Sequence, residues 1–475
     1  MHVTLFGYIL LPLCVLWFPR PERLLALIFV MGVFGAATPM VIGSLGLPPM
    51  APPAAMFVLY VIFQLGFGVQ FEGARTALRT LEPYLLAVAY GLMSAYVMPR
   101  VFAHAVQVWP QKETIFSGTV PLVPGQGNVT QSFYLLMDGS VLLAATLYLA
   151  RREVDLMKLI QAYLWSGALA IVFAFWQFAH RIGGVWFPYP YISNNPGFAL
   201  LNNQSIGFVP RINGSFVEPS DLAHYLSGLV FASGWLVLRG FPSRLARFTL
   251  VGGAIAMVIS TSTTGIAMLV LGGAFSAMIP VLRQRTTVAR RVLRVGVPLV
   301  LGLVVTAGVV ITLRPSVGRS LSVVYSSTLA KQQSSSFADR TTMDLDALAT
   351  LFPTFGFGAG WGSFRSSSLL PGTLAGLGAW GTALVFWFVL RVAKLLRRAR
   401  RVAESGAARV SAREGWTSEA ARAACAGTVL GALISAPEII NLDFYVLLAV
   451  LIAACVRVAV LDRAVILPAA QTVPA

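Results

Sequence analysis

Apolar residues fall in long stretches along this chain, separated by short polar or charged connections. Stretches of about 17–25 apolar residues are long enough, as helices, to cross a bilayer core of about 30 Å. We predict about thirteen such spans. They lie at residues 3–18, 22–44, 52–70, 81–98, 132–150, 156–179, 221–239, 246–261, 263–282, 294–313, 372–393, 422–437 and 441–461. Backbone groups in lipid must be satisfied within each segment, and the pattern lacks the alternation of β-barrel strands. The pattern therefore predicts an all-α polytopic membrane protein.

Composition supports this class and excludes a soluble domain. Hydrophobic residues make up 57% of the chain and charged residues 11%, whereas soluble domains carry about 25% charged residues. We therefore predict that residues 1–475 form a single integral membrane domain. The first apolar segment, 3–18, lacks a basic start and a small-residue cleavage site, so we interpret it as a span. The three cysteines fall inside apolar segments without pairing or metal-ligand spacing, so disulfides and a cysteine metal site are not expected.

The net charge of +17 would suit a nucleic-acid partner, but the basic residues are distributed by membrane side. Placing the N-terminus outside puts most lysines and arginines in inward connections, as the positive-inside rule requires. We predict a periplasmic N-terminus, a cytoplasmic C-terminus and no nucleic-acid partner. Few basic residues then lie outside: Arg100, Lys112, Arg181, Arg211, Arg314, Arg319, Lys331, Arg340 and Arg365.

Three long connections fall on the outer side: residues 99–131, 180–220 and 314–371. Long connections in a compact protein tend to carry function. On the inner side only 394–421 is extended, and its arginine- and alanine-rich composition suggests an amphipathic surface helix. We therefore look for a functional site on the outer side.

The first candidate motif runs from Arg211 into a span. Arg211 offers a planar fork of donors suited to phosphate or pyrophosphate. Gly214 permits a tight turn that brings backbone close to a ligand, and Glu218, among apolar residues at the mouth of a span, suits general-base work. Pro219 and Ser220 are typical of a helix start. The alternative interpretation, a loop in which Arg211 and Glu218 only pair with each other, stays open.

The second candidate motif lies in the last outer loop. Residues 340–352 have helical spacing, which predicts Arg340 near the N-terminus of a short helix, where arginine and helix dipole together favour an anion. The glycines that follow superficially resemble a phosphate-cradling loop: Gly356, Gly358, Gly360 and Gly362. No strand precedes them and no lysine–hydroxyl pair follows, so we favour a turn that leads into a span.

Other polar residues are weaker candidates. The Ser/Thr run at 260–265 suits a tight hairpin whose hydroxyls satisfy backbone carbonyls. His224 follows near Glu218 at the top of a span, and either a structural or a substrate-binding role is open. Tyr189 and Tyr191 belong to an aromatic–proline run that would stack on sugars or form an interfacial belt. No cluster with metal-ligand spacing occurs outside, so no metal is expected.

These motifs together resemble a known family. The pattern Arg211-x-x-Gly214-x-Phe216-x-Glu218-Pro219-Ser220 resembles the signature of bacterial O-antigen and exopolysaccharide polymerases, relatives of the O-antigen ligases. Arg340 and the glycines after it resemble the family's large periplasmic loop, and the hairpin at 260–265 occupies the position of a family turn. The likeness covers about 205–380 together with the number of spans.

The resemblance implies a function. It implies an inner-membrane glycosyltransferase of GT-C-type fold, without cofactor, acting on polyprenyl-pyrophosphate-linked glycans as donor and acceptor. Arg211 and Arg340 would hold the donor pyrophosphate, which fits the need of that leaving group for fixed positive charge. Glu218 would activate or orient the acceptor hydroxyl. A chain-length regulator and a repeat-unit flippase would be its partners.

Two departures favour a polymerase over a ligase. Ligases carry a His–Asn pair after the glycines, where this chain has Arg365 and Ser366–Ser368. The family arginine of the hairpin turn is replaced by threonine, so Arg314, Arg319 or Arg365 would supply that charge. A ligase remains the first alternative. A lipid-linked oligosaccharide flippase is the second, although it should show mid-span charges, which are almost absent here.

Overall fold

The computed structural model describes residues 1–43, 45–111, 118–198, 202–206, 209–282, 326, 335–405, 411–436 and 438–466. This part of the chain forms 14 helices, joined by short two- and three-residue strands. Six of the helices are long and apolar enough to cross a membrane. The protein is therefore a mainly helical membrane protein, as the hydrophobic pattern predicts.

The helices, numbered here in chain order, include two short ones at the loops. They are α1 Leu5–Leu16, α2 Pro21–Gly32, α3 Ala51–Gly66, α4 Ala74–Val101, α5 Gln126–Leu149, α6 Leu156–Gly183, α7 Tyr189–Ile192, α8 Pro219–Leu238, α9 Arg244–Ile259, α10 Thr263–Leu282, α11 Ser335–Ala349, α12 Leu369–Glu404, α13 Ala412–Ser435 and α14 Leu442–Ile466. Every predicted span contains a helix except 294–313, which lies outside the described residues. A count of thirteen spans remains a prediction.

Antiparallel strands tie the loops together at three places. β1 (His2–Val3), β2 (Met40–Ile42) and β3 (Leu45–Gly46) form a small sheet in that order, with His2 opposite Val41. The other two pairs are hairpins: β4 (Gln107–Val108) with β5 (Val120–Pro121), and β6 (Ser205–Ile206) with β7 (Val209–Pro210). The sequence pattern did not predict these strands, because two-residue pairings leave no periodicity to read.

The second predicted span is shorter than expected. A helix over 22–44 was predicted, but α2 ends at Gly32 and the chain turns into β2. Tertiary bonds explain the early end: Ser215 Oγ donates to the carbonyl oxygen of Val33 at 2.6 Å, and the Ala36 amide donates to Ser215 O at 3.1 Å. The last carbonyls of α2 are thus satisfied by a distant loop instead of by a further helical turn.

The prediction of a separate amphipathic helix over 394–421 is also wrong. Residues 394–404 continue α12, and residues 412–421 begin α13. Ser411 caps α13, since its Oγ accepts from the Glu414 amide at 3.2 Å while the Glu414 carboxylate accepts from the Ser411 amide. Buried Leu395 and Val402 on α12 show why this basic segment stays attached to the bundle.

The bundle has two distinct ends. One end, called here the motif end, contains the connections α2–α3, α4–α5, α6–α8 and α11–α12. These connections are joined by backbone hydrogen bonds. The Asn194 amide donates to Ala36 O at 3.2 Å, and the Arg365 amide donates to Trp109 O at 2.9 Å. At the arginine end lie ion pairs such as Arg413–Asp155 at 2.7 Å and Arg239–Glu419 at 2.5 Å. Helix α8 joins the two ends, and it packs against α9 and α13.

Candidate functional site

The motif that begins at Arg211 leads into α8 as predicted. Glu218 occupies the cap position in extended conformation, and Pro219 is the first helical residue, which confirms the predicted helix start. The Ser220 hydroxyl donates to Glu218 Oε1, and the amides of Asp221 and Leu222 donate to the Glu218 carbonyl oxygen at 3.1 and 3.3 Å. The carboxylate of Glu218 is thereby held at the mouth of the helix.

Arg211 is half-buried beside the β6–β7 hairpin. Its Nη1 donates to Gln204 Oε1 at 3.0 Å, and its amide donates to Gln204 O at 3.0 Å. Its Nε is buried and has no acceptor among the described residues. Burial lowers the pKa of the guanidinium from its ordinary value; Glu218 opposes this effect and Arg340 adds to it. The Nε of the guanidinium thus keeps its donor without a partner among the residues described.

Arg211 and Glu218 do not pair directly in the described part of the chain, since the first bonds Gln204 and the second accepts from Ser220. The alternative interpretation, a loop in which these two side chains only neutralise each other, therefore does not describe this geometry. An arginine with an unused donor is available to an anion instead.

Arg340 lies in the second turn of α11 and not at its start. The helix begins at Ser335, five residues earlier than the predicted start, so the expected anion site at the N-terminus of this helix does not include Arg340. The dipole falls off within the first turn, so little of it acts there. Arg340 is nevertheless within electrostatic range of Arg211 and of Asp221.

Four charged side chains from two distant parts of the sequence therefore converge at the motif end. Arg211 and Arg340 are the cations, and Glu218 and the exposed Asp221 are the anions. The two arginines repel each other, and an added anion between them would relieve that repulsion. The arrangement can hold a negatively charged group beside a carboxylate.

A buried amide pair, which the sequence did not single out, holds this loop in place. Gln177 on α6 and Asn213 are both fully buried. Gln177 Nε2 donates to Asn213 Oδ1 at 2.6 Å, and Gln177 Oε1 accepts from the amides of Asn213 at 2.9 Å and Gly214 at 2.7 Å. Asn213 Nδ2 in turn donates to Phe216 O at 2.6 Å. In the sequence, a glutamine near the end of an apolar helix could have indicated this buried hydrogen-bonding role.

Gly214 forms the predicted tight turn, next to α6, and its use by a ligand stays a prediction. It has φ +61°, in the left-handed region, and a Cβ there would lie 3.5 Å from the backbone nitrogen of Ala174 on α6. Its amide is already bonded to Gln177. The tight turn expected at this glycine is present, but the backbone that comes close belongs to α6.

The aromatic–proline run at 186–191 contains both packed and exposed aromatic side chains. Phe187 is buried, and its ring centroid lies 4.7 Å from that of Tyr189. The Tyr189 hydroxyl accepts from Gln177 Nε2 at 3.0 Å, and burial raises its pKa from the ordinary value. Trp186 and Tyr191 remain exposed. Only these last two can contact a sugar or a membrane surface without rearrangement.

The structure describes two of the remaining predicted residues, His224 and Arg365. His224 is buried, and its Nε2 donates to Thr428 O on α13 at 2.9 Å, as the structural interpretation expects. Arg365 lies in the connection before α12, where its amide bonds Trp109. Arg314 and Arg319 lie outside the described residues.

The glycine stretch forms turns packed on helices. All four glycines have positive φ, between +77° and +96°. A Cβ on Gly358 would lie 2.6 Å from Ala375 O on α12, one on Gly360 2.6 Å from Ser94 O on α4, and one on Gly362 2.6 Å from Gly127 O on α5. The interpretation as a turn into a span, and not a phosphate cradle, fits these contacts.

Two aspartates of α11 attach this helix to the start of α12 and to the α4–α5 loop. Sequence reasoning gave them no role. Asp344 Oδ1 accepts from the amides of Ser367 at 2.7 Å and Ser368 at 3.1 Å, which caps the start of α12. Asp346 Oδ2 accepts from Trp109 Nε1 at 2.8 Å in the α4–α5 loop. Arg340 is therefore carried by a helix anchored on two sides.

Sequence reasoning also missed a buried acidic pair away from Arg211. Asp138 lies at the middle of α5, 3% exposed, and its Oδ1 has no partner within the described ranges. Glu438, between α13 and α14, is close enough to interact with it, and burial raises the pKa of Glu438 to about 7 while a bond from Gln131 lowers it. The span centres thus contain at least one ionisable group.

Comparison with known proteins gives no relative from which to transfer a function. No protein-family model matches the chain, and no curated protein matches it either.

Proposed function

We propose that this protein is a glycosyltransferase that polymerises polyprenyl-pyrophosphate-linked repeat units into O-antigen, capsule or exopolysaccharide at the periplasmic face of a bacterial inner membrane. The observation that carries the proposal is the placement of Arg211, Arg340 and Glu218 at the same end of a bundle of membrane-length helices. The GT-C-type fold expected from the family resemblance is part of the proposal.

The chemistry follows from the charges of the site. The acceptor hydroxyl oxygen attacks the anomeric carbon of the donor sugar, the bond from that carbon to the phosphate oxygen breaks, and polyprenyl pyrophosphate leaves. Arg211 and Arg340 stabilise the negative charge that develops on the leaving group, which is worth most where the donors are fixed in advance. Glu218 takes the proton of the attacking hydroxyl. Its hydrogen bond from Ser220 holds the carboxylate in position for this step.

The test is alanine substitution at both arginines. Arg211→Ala and Arg340→Ala should each lower the rate of polymer formation by about 10²–10³-fold, the typical effect of losing one charge-stabilising donor. Cells should retain normal protein level and single-repeat product and lack long chains on gels. Arg100→Ala is the matched control, because Arg100 is at the same end but stacks on Tyr96, 3.9 Å from the ring centroid. Full-length polymer in both site variants would show that the site is wrongly assigned.

A flippase is the second candidate, and buried Asp138 in the middle of α5, whose Oδ1 has no partner among the described residues, is the observation that favours it. Ionisable groups inside a membrane often mark a transport pathway. Deletion of the gene distinguishes the two functions. Loss of a polymerase leaves single repeat units exposed on the periplasmic side, whereas loss of a flippase leaves them at the cytoplasmic side. Long glycans that form but stay unattached to their anchor would instead indicate a ligase.

A further inference from the structure

A large cavity opens at the arginine end, at the opposite end of α8 from Glu218. Its volume is about 1090 Å³, and it is bounded by the first turn of α6, the end of α8, and parts of α12, α13 and α14. Ligand sites usually have volumes of about 300–1,000 Å³. The cavity is therefore large enough for a ligand, and no role in glycan transfer uses it.

One wall of the cavity is apolar. Ala393, Leu396 and Ala399 line it from α12, and Ala454 and Val458 from α14. Both helices are among those long enough to cross a membrane. An apolar wall on such helices favours a ligand with a hydrocarbon part over a fully hydrated one.

The rim of the cavity is rich in arginine. Seven arginines and five carboxylates are among its lining residues, so the lining is positive overall. Some of this charge is neutralised within the protein. Arg239 makes two bonds to Glu419, at 2.5 and 2.6 Å, and Arg413 bonds Asp155 at 2.7 Å. The less exposed Arg239–Glu419 pair removes Arg239 from consideration as a ligand contact, whereas the Arg413 side chain stays about half exposed.

Two other arginines, both on α12, can reach a ligand. Arg397 is exposed, and its Nε donates to Ala393 O of its own helix at 3.3 Å. Arg400 pairs with Glu404 at 2.7 Å, but both side chains are about half exposed, and exposed pairs of this kind hold their partners weakly. Arg457 is buried and donates from Nε and Nη2 to the carbonyl oxygens of Leu149, Arg151 and Val154, so it supports the wall of the cavity.

We propose that this cavity binds the headgroup of an anionic membrane phospholipid. Arg397 and Arg400 would contact the phosphodiester, and the apolar wall of α12 and α14 would contact the first part of an acyl chain. Arginine binds phosphate oxygens with paired donors, and basic pockets between membrane helices select anionic headgroups. The net positive lining favours an anionic lipid over a zwitterionic one. This site is independent of the proposed glycan chemistry.

The test uses the full chain purified in detergent. Native mass spectrometry would measure binding of phosphatidylglycerol and of phosphatidylcholine to the same protein. We expect phosphatidylglycerol to bind roughly tenfold more tightly, and Arg397→Gln with Arg400→Gln to remove most of that difference. Arg398→Gln with Arg401→Gln is the matched control, because these arginines are exposed on the same helix but do not line the cavity. The control should keep the preference within about twofold.

Three results would overturn the proposal. Equally tight binding of phosphatidylglycerol and phosphatidylcholine would exclude selection of an anionic headgroup. Equal losses in the two double variants would mean that general surface charge, and not the cavity, attracts the lipid. Displacement of phosphatidylglycerol by an equal concentration of glycerol 3-phosphate would identify a soluble phosphate compound as the ligand.

Discussion

At the scale of single residues, Gln177 and Asn213 define the geometry of the site as much as the charged residues do. Together they satisfy the backbone of the turn that carries Arg211 on one side and Glu218 on the other. Buried amides with complete hydrogen bonding favour one arrangement of a loop, because any other arrangement leaves polar groups unpaired. Their importance was invisible in the sequence, since a glutamine and an asparagine 36 positions apart give no local pattern.

Gln177→Leu should disturb this turn. It would leave the amides of Asn213 and Gly214 and the Asn213 side-chain oxygen without their partner, and each buried unpaired group costs about 1–3 kcal/mol. We expect a free energy of unfolding lower by about 2–4 kcal/mol and strongly reduced polymer. Thermal unfolding in detergent and glycan gels measure the two effects.

Gln64→Leu is the control for this substitution. Gln64 also makes side-chain bonds, to Tyr60 at 2.7 Å and with Arg151, but it lies at the arginine end. This variant should lose some stability and keep its polymer. Normal polymer from Gln177→Leu would mean that the turn does not depend on the buried amide.

At the scale of elements, the glycine stretch illustrates how a motif can look catalytic and act in packing. Gly358, Gly360 and Gly362 each bring backbone against a different helix, at distances that a side chain would prevent. The stretch, which follows the helix that carries Arg340, thereby joins α4, α5 and α12. Its sequence predicted turns, because glycines repeat at every second position, but the three partner helices follow only from the fold.

Gly358→Ala and Gly356→Ala form a matched pair that separates two physical effects. The two glycines have nearly equal φ, +79° and +80°, so both variants carry the same strain of about 1–2 kcal/mol for a left-handed residue. A Cβ at 358 lies 2.6 Å from Ala375 O, whereas a Cβ at 356 meets nothing closer than 3.8 Å. We expect Gly358→Ala to be less stable than Gly356→Ala by about 1–3 kcal/mol.

Thermal unfolding of the two variants in the same detergent checks this expectation. Equal melting temperatures would mean that the backbone at 358 can move away from α12 without loss. A greater loss at 356 would contradict the packing described here.

At the scale of the whole molecule, the chain separates its charges between two ends. The motif end holds Arg211 and Arg340, whereas the arginine end holds the ion pairs and the cavity. The β1–β2 pairing places the N-terminus at the motif end, and α14 runs from the motif end toward the arginine end. If the positive-inside rule sets the orientation, the motif end faces the periplasm.

Cysteine labelling in intact cells tests this orientation. The native cysteines are buried and should not react. Val123→Cys, at an exposed position in the α4–α5 loop, should react with a membrane-impermeant maleimide added outside. Pro242→Cys, exposed between α8 and α9, should react only after the membrane is opened. The reverse pattern would place Arg211 in the cytoplasm and contradict the proposed periplasmic chemistry.

The sequence by itself determined the class of the protein, the positions of most helices and the start of α8 at Glu218–Pro219. These features depend on local quantities: the length of apolar stretches, the fixed φ of proline and the distribution of charge. The sequence also identified Arg211 and Arg340 as candidates, because few basic residues fall in the outer loops.

Only the tertiary structure decided which of these residues meet. Arg340 lies at the same end as Arg211 because Asp344 and Asp346 fasten α11 to the start of α12 and to the α4–α5 loop, while His224 is turned toward α13. The early end of α2 depends in the same way on bonds from Ser215. Contacts between residues far apart in sequence depend on where whole helices pack, and no local pattern records that.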